Sequence, residues 1–153
     1  MKLTTNSKEV AKELERSGVL TERHVKKAVA RTAKDLQARI MKNASTGYHR
    51  RRKKMMRGHI PGTGPGPNVA TGNYRRSIQV THDTTDAGPR SIVHTNAPQA
   101  RRLEYGFRGT DSRGRTYNQP PYPHWQHAMS IVKPSFQREI EKAIREALGN
   151  AQK

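Results

Sequence analysis

Residues 58–67, "GHIPGTGPGP", hold Gly58, Pro61, Gly62, Gly64, Pro65, Gly66 and Pro67. Prolines lack the backbone donor that helices and ladders use, and glycines lose the most conformational freedom on ordering, so neither helix nor ladder is expected here. Six cations stand directly before this run: Arg50, Arg51, Arg52, Lys53, Lys54 and Arg57. Residues 44–70 therefore read as a long, flexible basic loop, and loops of that length inside a domain are usually functional or disordered.

Upstream, Asn6 suits an N-cap, with Glu9 three positions on and Gly18 at the exit of a short first helix. A second helix is expected after Thr21 as N-cap, with Glu22 favourably placed against the dipole. Val25, Val29, Ala33, Leu36 and Ile40 then recur at helical spacing.

Downstream, Thr71 can cap a short turn over Asn73–Arg76, and Ile78, Val80 and His82 alternate with Gln79 and Thr81 as in a half-buried strand. "DTTDAGPR" breaks it and Ser91–Thr95 returns, which predicts an antiparallel hairpin. Asn96 and Pro98 open a helical piece with Ala100, Leu103 and Phe107 on one side and Arg101, Arg102 and Glu104 on others. Residues 108–123 read as a second extended loop ending in three prolines. In the last helix Trp125, Ala128, Val132, Phe136, Ile140, Ile144 and Leu148 form one apolar stripe; Pro134 should kink or split that helix, and Gly149 suits its end.

The 153 residues suit one domain, 1–153, with a thin core, since the hydrophobic fraction is 31% and mean hydropathy is -1.01. Net charge is +18, and residues 44–123 carry 14 basic groups against 4 acidic ones, so phosphate backbones, anionic membranes or acidic proteins are the electrostatically favoured partners. There is no cysteine, which excludes disulfides and thiolate chemistry. No apolar run approaches a membrane span, and the N-terminus lacks the apolar stretch of a signal peptide.

Enzyme chemistry finds no foothold. Hydrolysis needs a nucleophile with a supported base or a carboxylate pair, and the middle of the chain offers only Asp83, Asp86, Glu104 and Asp111. "GTGPGP" lacks the Lys-Ser/Thr of a phosphate loop. His124 and His127 could share a helix face, but no third ligand stands at a diagnostic spacing, so no metal and no cofactor is expected. The cation cluster reads as a solvated loop, a sequence-indifferent phosphate contact or a dock for an acidic partner surface.

The ordered pieces "ATGNYRRSI", "APQARRLEYGF" and "PPYPHWQHAM" before a long amphipathic helix carry a resemblance. Their order and spacing resemble the tail-component family of long-tailed bacteriophages named after a lambdoid phage's gene-ten product. Its members show TG-x-L-x-x-S-I, a stretch ending in E-F/Y-G, and P-x-P-F-x-x-P-A. Coverage runs from about Ala70 to Leu148, and the long N-terminal helix and basic-to-glycine loop also resemble the family. Thr71, Gly72 and Ser77 fall on the first element, Glu104, Tyr105 and Gly106 on the second, and Pro121, Pro123 and Ala128 on the third. Tyr74 stands where an aliphatic residue is usual, His124 replaces phenylalanine, and His127 replaces the second proline.

The resemblance implies a non-enzymatic structural protein of the virion neck, assembled in the host cytoplasm. It implies a hexameric ring between the head-side connector or stopper and the tail terminator or tail tube, with genomic double-stranded DNA passing through. A tail terminator capping the tube is the neighbouring alternative, and a free nonspecific nucleic-acid-binding protein the alternative of another class. The cations 50–54 and 57 are then expected to face DNA or a partner ring. Arg101, Arg102 and Glu104 belong with the motif residues at a subunit interface, where Glu104 pairs with an arginine of the next protomer or, equally, with one on its own helix. Trp125 and Phe136 are expected in the core. The fold expected is α+β: a small antiparallel sheet packed against long N- and C-terminal helices, with two extended loops.

Overall fold

In a computed structural model, the backbone is described for residues 7–45, 49–51, 54–56, 59–60, 64–65 and 72–151, and side chains for residues 15–45 and 72–149. The N-terminal periodicity produces one helix, α1 (Ser7–Asn43), rather than two. Gly18 lies inside it, because a glycine costs a helix only about 1 kcal/mol relative to alanine and its neighbours favour helix. Thr21 caps nothing; its hydroxyl donates back to the Ser17 carbonyl at 2.8 Å, the usual way a mid-helix threonine satisfies itself. Asn6 lies outside the described residues.

The basic and glycine-proline segment contains ladders where none was expected. β1 (His49–Arg51) pairs antiparallel with β2 (Lys54–Met56), and β3 (His59–Ile60) with β4 (Gly64–Pro65). A two-stranded ladder uses one edge of each strand, so Pro65 can occupy a strand with its donorless side outward. Arg50, Arg51 and Lys54 lie on these strands; Arg52, Lys53 and Arg57 lie outside the described residues.

Then α2 (Asn73–Arg76) starts behind Gly72, whose φ of 75° is a left-handed conformation that favours glycine. Thr71, the expected cap, is outside the described residues. β5 (Gln79–Thr85) and β6 (Gly88–His94) form an antiparallel hairpin closed by the two-residue turn Asp86–Ala87, so the ladder runs through most of the expected break. α3 (Ala100–Tyr105) ends before Phe107, which opens β7 (Phe107–Thr110) instead of extending the helix. β8 (Thr116–Gln119) pairs back on β7, so a second hairpin stands where an extended loop was expected.

α4 (His124–Ala151) runs through both Pro134 and Gly149. Pro134 deprives only the Ser130 carbonyl of a partner, and Ser130 is exposed, so water can serve it. α4 lies antiparallel to α1: Asn43 Nδ2 donates to the His124 carbonyl at 3.2 Å, while further back Arg31 stands 3.9 Å from Glu139. The seam is mostly alanine, with Ala28, Ala33 and Ala44 facing Ala128, Val132, Ala143 and Ala147, all buried. Small residues let the two helix axes approach closely.

The core is where the C-terminal end of α1 meets the start of α4 and the β5–β6 hairpin. Ile40, Ala44, Ile78 and Ala128 are buried together, with Leu36, Met41, Tyr74, Val93 and Trp125 against them. Gln37 Nε2 donates to the Ile78 carbonyl at 2.7 Å and ties the mouth of the hairpin to α1, while Ser77 Oγ meets Thr95 Oγ1 at 2.7 Å across that mouth. The expected α4 stripe is only half inward: Trp125 packs on the core, but Phe136, Ile144 and Leu148 are exposed because alanines occupy the seam. The arrangement is α+β, with long N- and C-terminal helices and small two-stranded antiparallel sheets.

The continuity of α1 makes a testable claim. A Cβ at Gly18 would meet nothing within 4 Å. Gly18→Ala should therefore raise stability by about 0.5–1 kcal/mol in urea unfolding, whereas destabilisation would show a left-handed break at that position.

Candidate interface and buried polar node

The three sequence motifs converge on one junction. Ser77 Oγ donates to the Tyr74 carbonyl at 2.7 Å and locks the α2 turn, which places the Tyr74 ring beside the start of α4. Gly106 ends α3 with φ 78°, and a Cβ there would stand 2.8 Å from the Gln119 carbonyl oxygen and 3.0 Å from Pro121 N. Only glycine meets both demands, so α3 can turn tightly under the proline segment. Tyr122 N donates to the Leu103 carbonyl at 2.7 Å and holds that segment, and the Pro123 carbonyl accepts from His127 N at 3.2 Å in the first turn of α4.

Glu104 is turned inward and is 7% exposed. Its Oε2 accepts from Trp125 N at 3.0 Å and its Oε1 from Gln126 N at 2.8 Å, so a carboxylate from α3 caps the first turn of α4. Helix N-termini favour such anions because their first amides lack partners and the dipole is positive there. His124 Nδ1 adds a third contact to Oε2 at 3.1 Å. The anticipated pairing with an arginine of its own helix does not occur among the described residues, where both carboxylate oxygens are engaged by α4 amides. Arg101 and Arg102 are exposed, and Arg102 lies 4.2 Å over the Phe107 ring.

His124 is fully buried, and the hydrogen-bond pattern assigns its tautomer. Nδ1 faces acceptors only, the Tyr122 carbonyl at 2.6 Å and Glu104 Oε2, and therefore carries the hydrogen. Nε2 stands 2.6 Å from the Tyr74 hydroxyl, whose oxygen accepts from Trp125 Nε1 at 2.9 Å. That leaves the hydroxyl hydrogen to bond Nε2. A directed chain runs from Trp125 through Tyr74 and His124 to Glu104. The two residues that depart from the family pattern, Tyr74 and His124, are thus bonded to each other. Among the described residues no buried side-chain nitrogen or oxygen lacks a partner.

Burial by itself pushes the Glu104 carboxyl up. The hydrogen bonds from His124, Trp125 and Gln126 together outweigh burial and hold it below the ordinary carboxylate range. Burial, reinforced by the negative charge of Glu104, raises the Tyr74 phenol against the opposing bond from Trp125. The node therefore favours carboxylate and neutral phenol.

Two grooves flank the node on the surface. One, of about 640 Å³, runs between α3 and α4 past Arg101, Tyr105, Trp125 and Met129. The other, of about 600 Å³, lies between α1, β6 and α4 and is lined by Val29, Leu36, Ile92, Met129 and Phe136 among others. Their walls are largely apolar, and Met129 and Trp125 belong to both. Motif residues thus do structural work within the chain, while Tyr105 is left exposed. The cations at 50, 51 and 54 lie on β1 and β2, in a segment whose side chains are not described.

The node was partly missed in the sequence. Tyr74 and His124 stood out as departures, but nothing in periodicity alone tells an inward Glu104 from an outward one. The signal was the nearby Pro-x-Pro helix start, which offers unpaired amides to whatever acid lies close.

The carboxyl shift carries a sign. A folded-state value below the unfolded one contributes stability above the unfolded value, near 4.3, that is lost as pH falls through the folded one. Glu104→Gln keeps one acceptor but turns an amide N–H₂ on the other donor. It should cost about 1.5–3 kcal/mol at pH 7 in urea unfolding, and the difference from the parent should shrink below about pH 4. A difference that does not change with pH would show that the carboxylate charge contributes nothing to the node.

A family model for HK97-gp10-like bacteriophage tail components matches residues 8–106, from α1 to the end of α3. No curated protein and no solved structure matches the chain. The Pro121–Ala128 element lies beyond the matched span.

Proposed function

The chain belongs to the HK97-gp10-like family of bacteriophage tail components, and from that premise we propose that it assembles as a ring of six copies in the phage neck. A tail component is a structural protein of the virion that works through contacts with other tail proteins. In our reading this ring sits between the head-side connector or stopper and the tail terminator or tail tube, and genomic double-stranded DNA passes through it. Among the described residues no helix is long and apolar enough to cross a membrane.

The observation that carries the reading is the apolar surface left over after folding. Met129, Phe136, Ile144 and Leu148 on α4 and Ile92 on β6 are exposed, while the α1–α4 seam is alanine. Large residues outside and small ones inside reverse the usual economy of a helix pair, and a second copy seated on the two grooves would cover them. Of the motif residues, Arg101, Glu104 and Tyr105 line the α3–α4 groove, and Gly106 and Pro121 line a neighbouring hollow with Tyr105, which supports an interface there; Thr71, Gly72, Ser77, Arg102 and Pro123 are assigned to the same interface by their place in the motifs. Six copies would bring about +108 of charge, so DNA, acidic neighbours or counterions must neutralise the ring. Arg50, Arg51, Arg52, Lys53, Lys54 and Arg57 are the densest part of that field and are assigned to DNA or the adjoining ring.

Light scattering coupled to size exclusion at 0.5 M salt tests this directly. The expected mass is six times 17.3 kDa, about 104 kDa, and Met129→Glu with Phe136→Glu should reduce it to the monomer without unfolding the chain. A parent protein that remains near 17.3 kDa at every concentration, yet binds duplex DNA with steep salt dependence, would instead favour a free nonspecific nucleic-acid-binding protein.

A further inference from the structure

The hairpin β7–β8 has two unlike faces. Register pairs Phe107 with Gln119 and Gly109 with Tyr117 on one face, and Arg108 with Asn118 and Thr110 with Thr116 on the other. The first face is packed within the hairpin and its base. Phe107 and Tyr117 have ring centroids 6.3 Å apart, Arg102 lies over Phe107, and Gly109 leaves room for the Phe107 ring, which a Cβ would approach to 3.1 Å. The second face is exposed along its whole length and carries a guanidinium, an amide and two hydroxyls with no acid among them.

The tip is ordered by its own acid. Asp111 Oδ1 accepts from the backbone N–H groups of Arg113 and Arg115, at 2.9 and 3.0 Å, and Oδ2 accepts from Arg115 Nε at 2.8 Å and the Tyr117 hydroxyl at 3.1 Å. The only acid of the hairpin is thereby consumed inside the turn, and Arg113 stands exposed at the apex without an ion-pair partner among the described residues. Every cation of the hairpin and of α3 is arginine, whose rigid fork matches the paired oxygens of a phosphodiester. A two-stranded β-ribbon is also one of the two protein elements that fit the major groove of B-form DNA.

We propose that the β7–β8 hairpin is a contact for the phosphodiester backbone of duplex DNA, with Arg108, Thr110, Thr116 and Asn118 along one face and Arg113 at the apex. The contact is to the backbone and indifferent to sequence. It is separate from the cation cluster at 50–57 and prearranged where Asp111 holds the turn. The proposal rests on the reading that DNA passes this protein, and it names a structured site for the encounter.

The test uses the full-length chain and a fluorescent 30-base-pair duplex, titrated across a series of potassium chloride concentrations. Each lost phosphate contact should lower the slope of log affinity against log salt by about 0.9. Arg108→Ala with Arg113→Ala should lower it by about two and weaken binding roughly tenfold or more, equally on A·T-rich and G·C-rich duplexes. Arg108→Lys with Arg113→Lys should keep the slope, and both pairs should unfold at the parent's temperature because both side chains are exposed and make no ion pair among the described residues.

Arg16→Ala with Arg23→Ala, which removes the same charge from exposed positions of α1, should leave the slope within about half a unit of the parent. Equal losses in that control and in the hairpin variant would reduce the effect to net charge and overturn the proposal. A hairpin variant with unchanged slope, beside weakened binding when residues 50–54 and 57 are neutralised, would overturn the hairpin and leave the DNA reading standing. A parent protein without duplex binding at low salt would overturn both. Loss of polyaspartate binding alone in the hairpin variant would reassign the face to an acidic protein, which also contradicts the proposal.

Discussion

The contact on which the ordered second half depends is the carboxylate of Glu104 against the first amides of α4. Taking a charge out of water is costly unless donors replace the water, and three donors converge here: two backbone amides and the His124 ring. The consequence is geometric. α3 and α4 are joined by 18 residues of hairpin and proline segment, numbered 106–123. Without a fixed point at the far end, that connection would set no angle between the helices. Glu104 closes the loop, His124 passes the constraint to Tyr74 on α2, and Trp125 returns it to the core beside Ile40 and Ile78.

Periodicity disclosed what depends on one element at a time. Val25, Val29, Ala33, Leu36 and Ile40 mark the inward face of α1, and the alternation from Ile78 to His82 marks the first hairpin strand. It failed where tertiary context overrides local preference. Gly18 suits a helix end by itself, but strong helix formers on both sides carry the helix through it. The run of turn formers over 108–123 hid a hairpin because its strands are short and mostly polar, stabilised by cation–π contacts and an acid-held turn rather than by burial. The direction of Glu104 was illegible for a related reason: a six-residue helix is too short for periodicity to choose a face, and the choice is made by α4's unpaired amides.

The same physics links fold to assembly. A chain with 31% hydrophobic residues cannot bury all its large apolar side chains around one thin core, and this one spends alanine on its longest internal contact. Phe136 is left outside on the wall of a groove that reaches Trp125, and Ile144 and Leu148 are exposed further along α4. A node that fixes angles, apolar walls beside it and a basic field around it suit a protein whose final structure is completed by neighbours.

Amide hydrogen exchange, resolved by residue, tests the anchoring role of Glu104 most directly. If the carboxylate holds the start of α4, the amides of Trp125 and Gln126 exchange as slowly as those around Ile40 in the core, although helix first-turn amides ordinarily exchange fast. Rapid exchange at both positions, beside slow exchange in the middle of α4, would show that the helix frays at its start and that the junction is held by something other than Glu104.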